Sequence, residues 1–151
     1  MSRILTILFL ITLSSSVFAT EEILPYQEIP ESYFLKNTVT PQENSSSRTG
    51  ILRTQKEFDT FFGPAAVMNP NQKFLPENFF EKNAILFFAQ WGNTPWEYEI
   101  VKATKNGTAI KILYRRTGTP CETATFSPFF MLGVSKELLT PDTRLEVVPA
   151  P

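Results

Sequence analysis

Ala84-Ile85-Leu86-Phe87-Phe88-Ala89-Gln90-Trp91 is a continuous apolar run, and Gly92-Asn93-Thr94-Pro95 closes it. Such a run, bounded by turn residues, is consistent with a core strand. Two alternating segments follow, Trp96 to Thr104 and Thr108 to Arg116, with Lys105-Asn106-Gly107 between them. Asn-Gly between alternating segments is a strong hairpin signal. The register is argued from which side chains it places together, because a slip of one residue sends every side chain to the other face. A two-residue Asn106-Gly107 loop sets Lys102 opposite Lys111 and puts Glu99 on the apolar face. A three-residue loop pairs Ile100 with Ile112, Tyr98 with Tyr114, Trp96 with Arg116 and Glu97 with Arg115. It leaves Lys102 as the one break in the apolar face. The second register is the expectation, with Gly107 as the left-handed residue of a bulge.

Around this hairpin the chain reads as follows. Met1 to Ala19 has the form of an export signal: Arg3, the apolar run Ile4–Leu13, and Val17-Phe18-Ala19 as a small-residue cleavage site. The apolar run falls short of the roughly 20 residues of a membrane-spanning helix. The expected mature chain therefore starts near Thr20, outside the cytoplasm, with no stable membrane insertion. Its 132 residues suit one domain, and 13 basic against 15 acidic residues give a net charge of −2. That balance provides no general attraction for nucleic acid. Residues 20–50 are polar and proline-punctuated and carry a net charge of −3, with one edge strand expected from Leu24–Ile29 or Tyr33–Leu35. Residues 51–151 form the expected globular part.

Thr54 and Glu57 match a capping box, and Phe58, Phe61 and Phe62 then fall on one helical face. A short helix is expected within Pro76–Glu81. Further strands are expected at Cys121–Phe126, Phe129–Val134 and Arg144–Val148. Six or seven short strands with short links imply an α+β fold that is mainly antiparallel, a sheet or sandwich with one packed amphipathic helix.

The chain contains no histidine and one cysteine. Histidine-based triads and the commonest zinc ligand are thereby excluded, as is an internal disulfide. Cys121 has three readings: a thiolate favoured by Arg115 or Arg116, a small residue in or beside a strand, or a link to another chain. Glu97 and Glu99, two apart on one strand, have a spacing that a small carbohydrate-active hydrolase could use. Charges on a solvated sheet face explain them as well. The favoured reading is no enzyme and no cofactor, but a binding surface. Two places offer one: the Gly92–Trp96 loop with Trp91 and Trp96, and the Gly118–Phe130 region with Arg115, Arg116, Phe126, Pro128, Phe129 and Phe130. Tyr98 lies between them in the hairpin. Large aromatics and arginine dominate contact energies at interfaces.

Ile51-Leu52-Arg53-Thr54, Glu57-Phe58, Phe61-Phe62, the Ala84–Phe88 strand, Gly92, Tyr98-Glu99-Ile100, Thr119-Pro120 and Thr125-Phe126-Ser127-Pro128 occur in an order that can be compared with a known pattern. Over about residues 51–136 that order resembles the C-terminal domain family of PrcB, an accessory subunit of a secreted bacterial protease complex. The family pattern has paired glycines before the tyrosine, where this chain has Trp96-Glu97. The resemblance implies a non-enzymatic extracytoplasmic module whose protein partner is a protease. A different reading makes the Gly92–Trp96 loop a protease inhibitor.

Overall fold

The structure is a computed structural model that describes residues 20–30, 32–66 and 73–151, so the expected export signal at 1–19 lies outside the described residues. In chain order the strands are β1 (Glu22–Ile23), β2 (Gln27–Glu28), β3 (Tyr33–Leu35), β4 (Ser47–Leu52), β5 (Phe62–Pro64), β6 (Asn83–Gln90), β7 (Glu97–Asn106), β8 (Ala109–Thr117), β9 (Phe129–Ser135) and β10 (Arg144–Pro149). Helix α1 (Gln55–Phe61) lies between β4 and β5, and α2 (Phe79–Lys82) precedes β6. The α+β, mainly antiparallel architecture is the one expected.

Three layers result. One sheet has the order β1-β7-β8-β10, a second has β2-β9-β6-β4, and β3 pairs with β5 in a small ribbon. The second sheet is the middle layer. Leu86 of β6 with Leu132 and Val134 of β9 meets Ala103, Ile110 and Ile112 of the first sheet. On the opposite face Ile85, Phe87, Ala89 and Met131 meet Phe58, Phe62, Phe79 and Phe80 from the helices and ribbon. Alternate residues of β6 thus serve two cores, which is why the run shows no polar alternation.

Local chemistry sets several ends. Thr54 accepts from the Glu57 amide at 3.2 Å and Glu57 accepts from the Thr54 amide at 3.1 Å, completing the capping box. Phe62 leaves the helix at once to become the first residue of β5, its ring stacked 5.3 Å from that of Phe58. Pro25 and Pro30 end β1 and β2. Each follows the last ladder bond, Leu24 N–H to the Ala103 carbonyl and Ile29 N–H to the Met131 carbonyl, and proline has no N–H to continue.

Several expectations are corrected. The hairpin has neither register argued above: Asn106 pairs with Ala109 and Ala103 with Ile112, and beyond a bulge at Val101, Ile100 pairs with Tyr114 and Glu99 with Arg115. The loop is Gly107-Thr108, with positive φ (58°) at Gly107, as the first residue of a type II′ turn requires. The bulge supplies the physical reason. Its extra residue inverts the parity of the strand, so Tyr98 and Ile100 face inward before it and Ala103 after it. Lys102 is turned outward, where it meets Glu21 at 3.4 Å, so it does not break the apolar face. Cys121–Phe126 is a sequence of turns with one bridge, not a strand. The last strand, β10, is parallel to β8, Leu145 beside Ile110 and Val147 beside Ile112. The strand β9 of the other sheet carries the chain back across, so a parallel pair forms without a helical crossover. Residues 20–50 supply three short strands and most of β4, where one edge strand was expected.

Candidate functional site

At one end of the sandwich the two segments singled out in the sequence meet. Gly92 and Phe126 exchange backbone bonds, 3.2 Å from the Gly92 amide and 2.7 Å from the Phe126 amide. The Cys121 amide donates to the Asn93 carbonyl at 2.7 Å, and the Gln90 amide to the Pro128 carbonyl at 3.0 Å. The Gly92–Trp96 loop is therefore fixed from one side by the 121–128 segment. From the other side Gly118 packs against it, where an added Cβ would stand 2.9 Å from Thr94 Cγ2 and 3.1 Å from the Trp96 ring.

Arg116 joins this loop to the sheet. It is cross-strand to Tyr98, on the inward parity of β8, and its guanidinium lies over the Trp96 ring at 4.4 Å. Its Nη1 donates to Gln90 Oε1 at 2.9 Å. The Tyr98 hydroxyl reaches the same oxygen at 3.4 Å. A cation over an aromatic face with a second anchor for its N–H groups is held in one orientation. Behind it, Tyr98, Tyr114, Phe88 and Phe130 form a ring cluster with centroids 5.2–6.0 Å apart. Gln90 is the residue that sequence reasoning missed. The signal was present as the one polar side chain inside the Ala84–Trp91 run.

The other site residues divide. Trp91 is half-buried and packs on the helix-side core, and its amide donates to the Ser46 carbonyl at 2.8 Å. Arg115 is not part of the assembly: it stands on the outer face of β8, 3.9 Å from Glu99. Glu97 and Glu99 are exposed on that same outer face of β7. Cys121 carries a free thiol in the turn after Pro120. Hydrogen bonding from Thr123, side chain and backbone, holds it below its ordinary value, so the influence comes from Thr123 and not from an arginine. Among the described residues no group of three or more acidic or cysteine side chains is gathered as a metal would require. No helix among them is long and apolar enough to cross a membrane.

Burial pushes the Tyr98 phenol far above its ordinary 10.0, Tyr114 adds to the effect, and Arg116 opposes it. Tyr114 is raised too, again chiefly by burial. Folding thus favours the protonated phenols, and this contribution is complete below pH 10. It declines as pH rises beyond that value, because the unfolded chain releases protons that the folded one still holds. Thermal melts should show stability falling above pH 10, with a shallower fall in Tyr98→Phe. A pH profile identical in the two proteins would contradict the cluster as its source.

Comparison of the chain with known protein families, characterised proteins and solved structures finds no match.

Proposed function

We propose that the chain is a non-enzymatic protein-binding module acting outside the cytoplasm, as an accessory or stabilising subunit of a protease. The observation that carries the binding role is the Trp96–Arg116–Gln90 assembly: an oriented guanidinium on a half-buried indole at the rim of a rigid end of the fold. Preorganised aromatic and arginine side chains lose little freedom on contact, and such residues dominate binding energies. The Met1–Ala19 sequence supports export. The protease as partner is supported by the PrcB-like order of motifs.

The test is purification of the tagged full chain from its native cell envelope, followed by measurement of its affinity for the recovered protease. Trp96→Ala and Arg116→Ala should each weaken that complex about tenfold or more, the scale of an interface hot spot. A chain that remains alone at micromolar concentration, or a complex indifferent to both changes, removes the proposal. The clamped Gly92–Trp96 loop also favours a second reading, direct inhibition. Assay of the purified chain against serine, cysteine and metalloproteases decides it, and inhibition must be lost in Trp96→Ala for the loop to be responsible.

A further inference from the structure

We infer that the cleft between β7 and β9 receives an extended segment of the partner protein, alternating apolar and basic residues, as an added strand along Glu97–Ile100. This rests on the binding-module reading and names the chemistry of what is bound.

Both sheets are left open at this place. β1 pairs with β7 only at Lys105 and Thr104, one further bond reaches Ala103, and Pro25 then ends the ladder. Among the described residues no strand pairs with β7 on that side from Glu97 to Lys102. The neighbouring edge behaves alike: β2 pairs with β9 at Gly133 and Leu132, Ile29 adds a bond to Met131, and Pro30 stops there. Among the described residues, Phe129 and Phe130 have no ladder partner on that edge. Between the two edges is a cleft of about 500 Å³, lined by Tyr98, Ile100 and Phe130 among others. An open edge offers backbone N–H and C=O groups in the spacing that only another extended chain matches.

The edge sets the length and polarity of what fits. Pro95 precedes it and the Val101 bulge follows it, so the regular part is Glu97–Ile100, about 13 Å of strand. Tyr98 and Ile100 point into the sandwich, so inward side chains of an added strand meet aromatic and aliphatic surface. Glu97 and Glu99 point outward, and residues opposite them on an added strand share that outer face. Among the described residues the cleft lining carries Glu28 and Glu97 and no basic residue. Lys102, the nearest cation along the strand, is engaged by Glu21, and Arg115 across the ladder stands 3.9 Å from Glu99, so Glu97 and Glu28 are the carboxylates here that no ion pair among the described residues engages. The outward position of the occupant beside Glu97 is therefore lysine or arginine, and one beside Glu99 competes with Arg115 for that carboxylate. A second copy fits less well, because antiparallel pairing of two such edges brings Glu97 and Glu99 against their own counterparts.

The probe is a capped hexapeptide alternating valine with lysine, titrated by NMR into the full chain at low ionic strength. Shifts and slowed amide exchange should concentrate at Glu97–Ile100. Because only alternate amides of an added strand face the edge, two peptides N-methylated on opposite alternating sets should differ. One should lose binding more than tenfold and the other should keep it. Glu97→Lys with Glu99→Lys, both exposed positions, should weaken the lysine peptide about tenfold and make the glutamate version the better ligand. Equal binding of the two N-methylated peptides, shifts located elsewhere, or no binding by any of them overturns strand addition. So does a chain whose edge is protected by a second copy in solution. A protease complex that still depends on Trp96 and Arg116 after such a result would leave the module reading standing and remove only this inference.

Discussion

Phe87→Ala should lower the unfolding free energy by about 3–5 kcal/mol, the usual cost of removing a buried phenylalanine. Phe87 is 1% exposed at the centre of β6, one of the two inner strands of the middle layer. Its ring lies 5.1 Å from that of Phe61 and 5.6 Å from that of Phe62. Flanking rings held by α1 and β5 cannot close the void without moving the helix. A domain of this size has about 5–15 kcal/mol in all, so the variant should approach the limit of folding at growth temperature. Urea unfolding followed by tryptophan fluorescence measures the loss. A cost below 1 kcal/mol would mean that the helix-side core is loosely packed.

Gly50→Val is the second large effect, and it has the opposite cause. Gly50 pairs with Phe87 across β4 and β6, and a Cβ built there would lie 2.4 Å from Phe87 Cε1. The ring occupies the place where a side chain at position 50 would stand. Its movement is restricted by Phe61 and Phe62, whose ring centroids lie 5.1 and 5.6 Å away. Overfilling of this kind costs about 1–3 kcal/mol, and valine adds two methyls beyond the clash. The two sites are in contact, so their costs should not add. Gly50→Val with Phe87→Ala should be less destabilising than the separate losses predict, since the valine then fills part of the cavity. Strict additivity in a double-mutant cycle would show that Gly50 is needed for some reason other than the ring.

What the sequence disclosed was what short-range chemistry controls. Thr54 and Glu57 find each other within one turn, and the capping box is legible from spacing alone. Ala84–Phe88 reads as a core strand from its continuous apolar run, and the structure adds that both of its faces are buried. Asn106-Gly107 marks the hairpin within one residue. The register was hidden, because the bulge at Val101 satisfies Lys102 through Glu21, a residue 81 positions away. Parallel pairing of β10 with β8 was hidden for a similar reason, since β9 of a different sheet makes the return. The strands β1, β2 and β3 are two or three residues long and exist only because a neighbouring edge offers bonds. At the candidate site, Trp96, Tyr98 and Arg116 were identified by residue type. Gln90 was read as part of the apolar run, and Arg115 was named with Arg116 beside the Gly118–Phe130 region. Neighbours on a strand point to opposite faces, so adjacency in sequence here meant separation in space.

The extra residue in β7 has one more consequence. Ahead of it the even-numbered side chains look into the sandwich; past it the odd-numbered ones do. A version of this chain lacking Val101 would join the two ladders smoothly and keep all remaining side chains on their present sides. Length variation should therefore be tolerated at this point in the hairpin, whereas a deletion within either flanking run would exchange interior for exterior along that run.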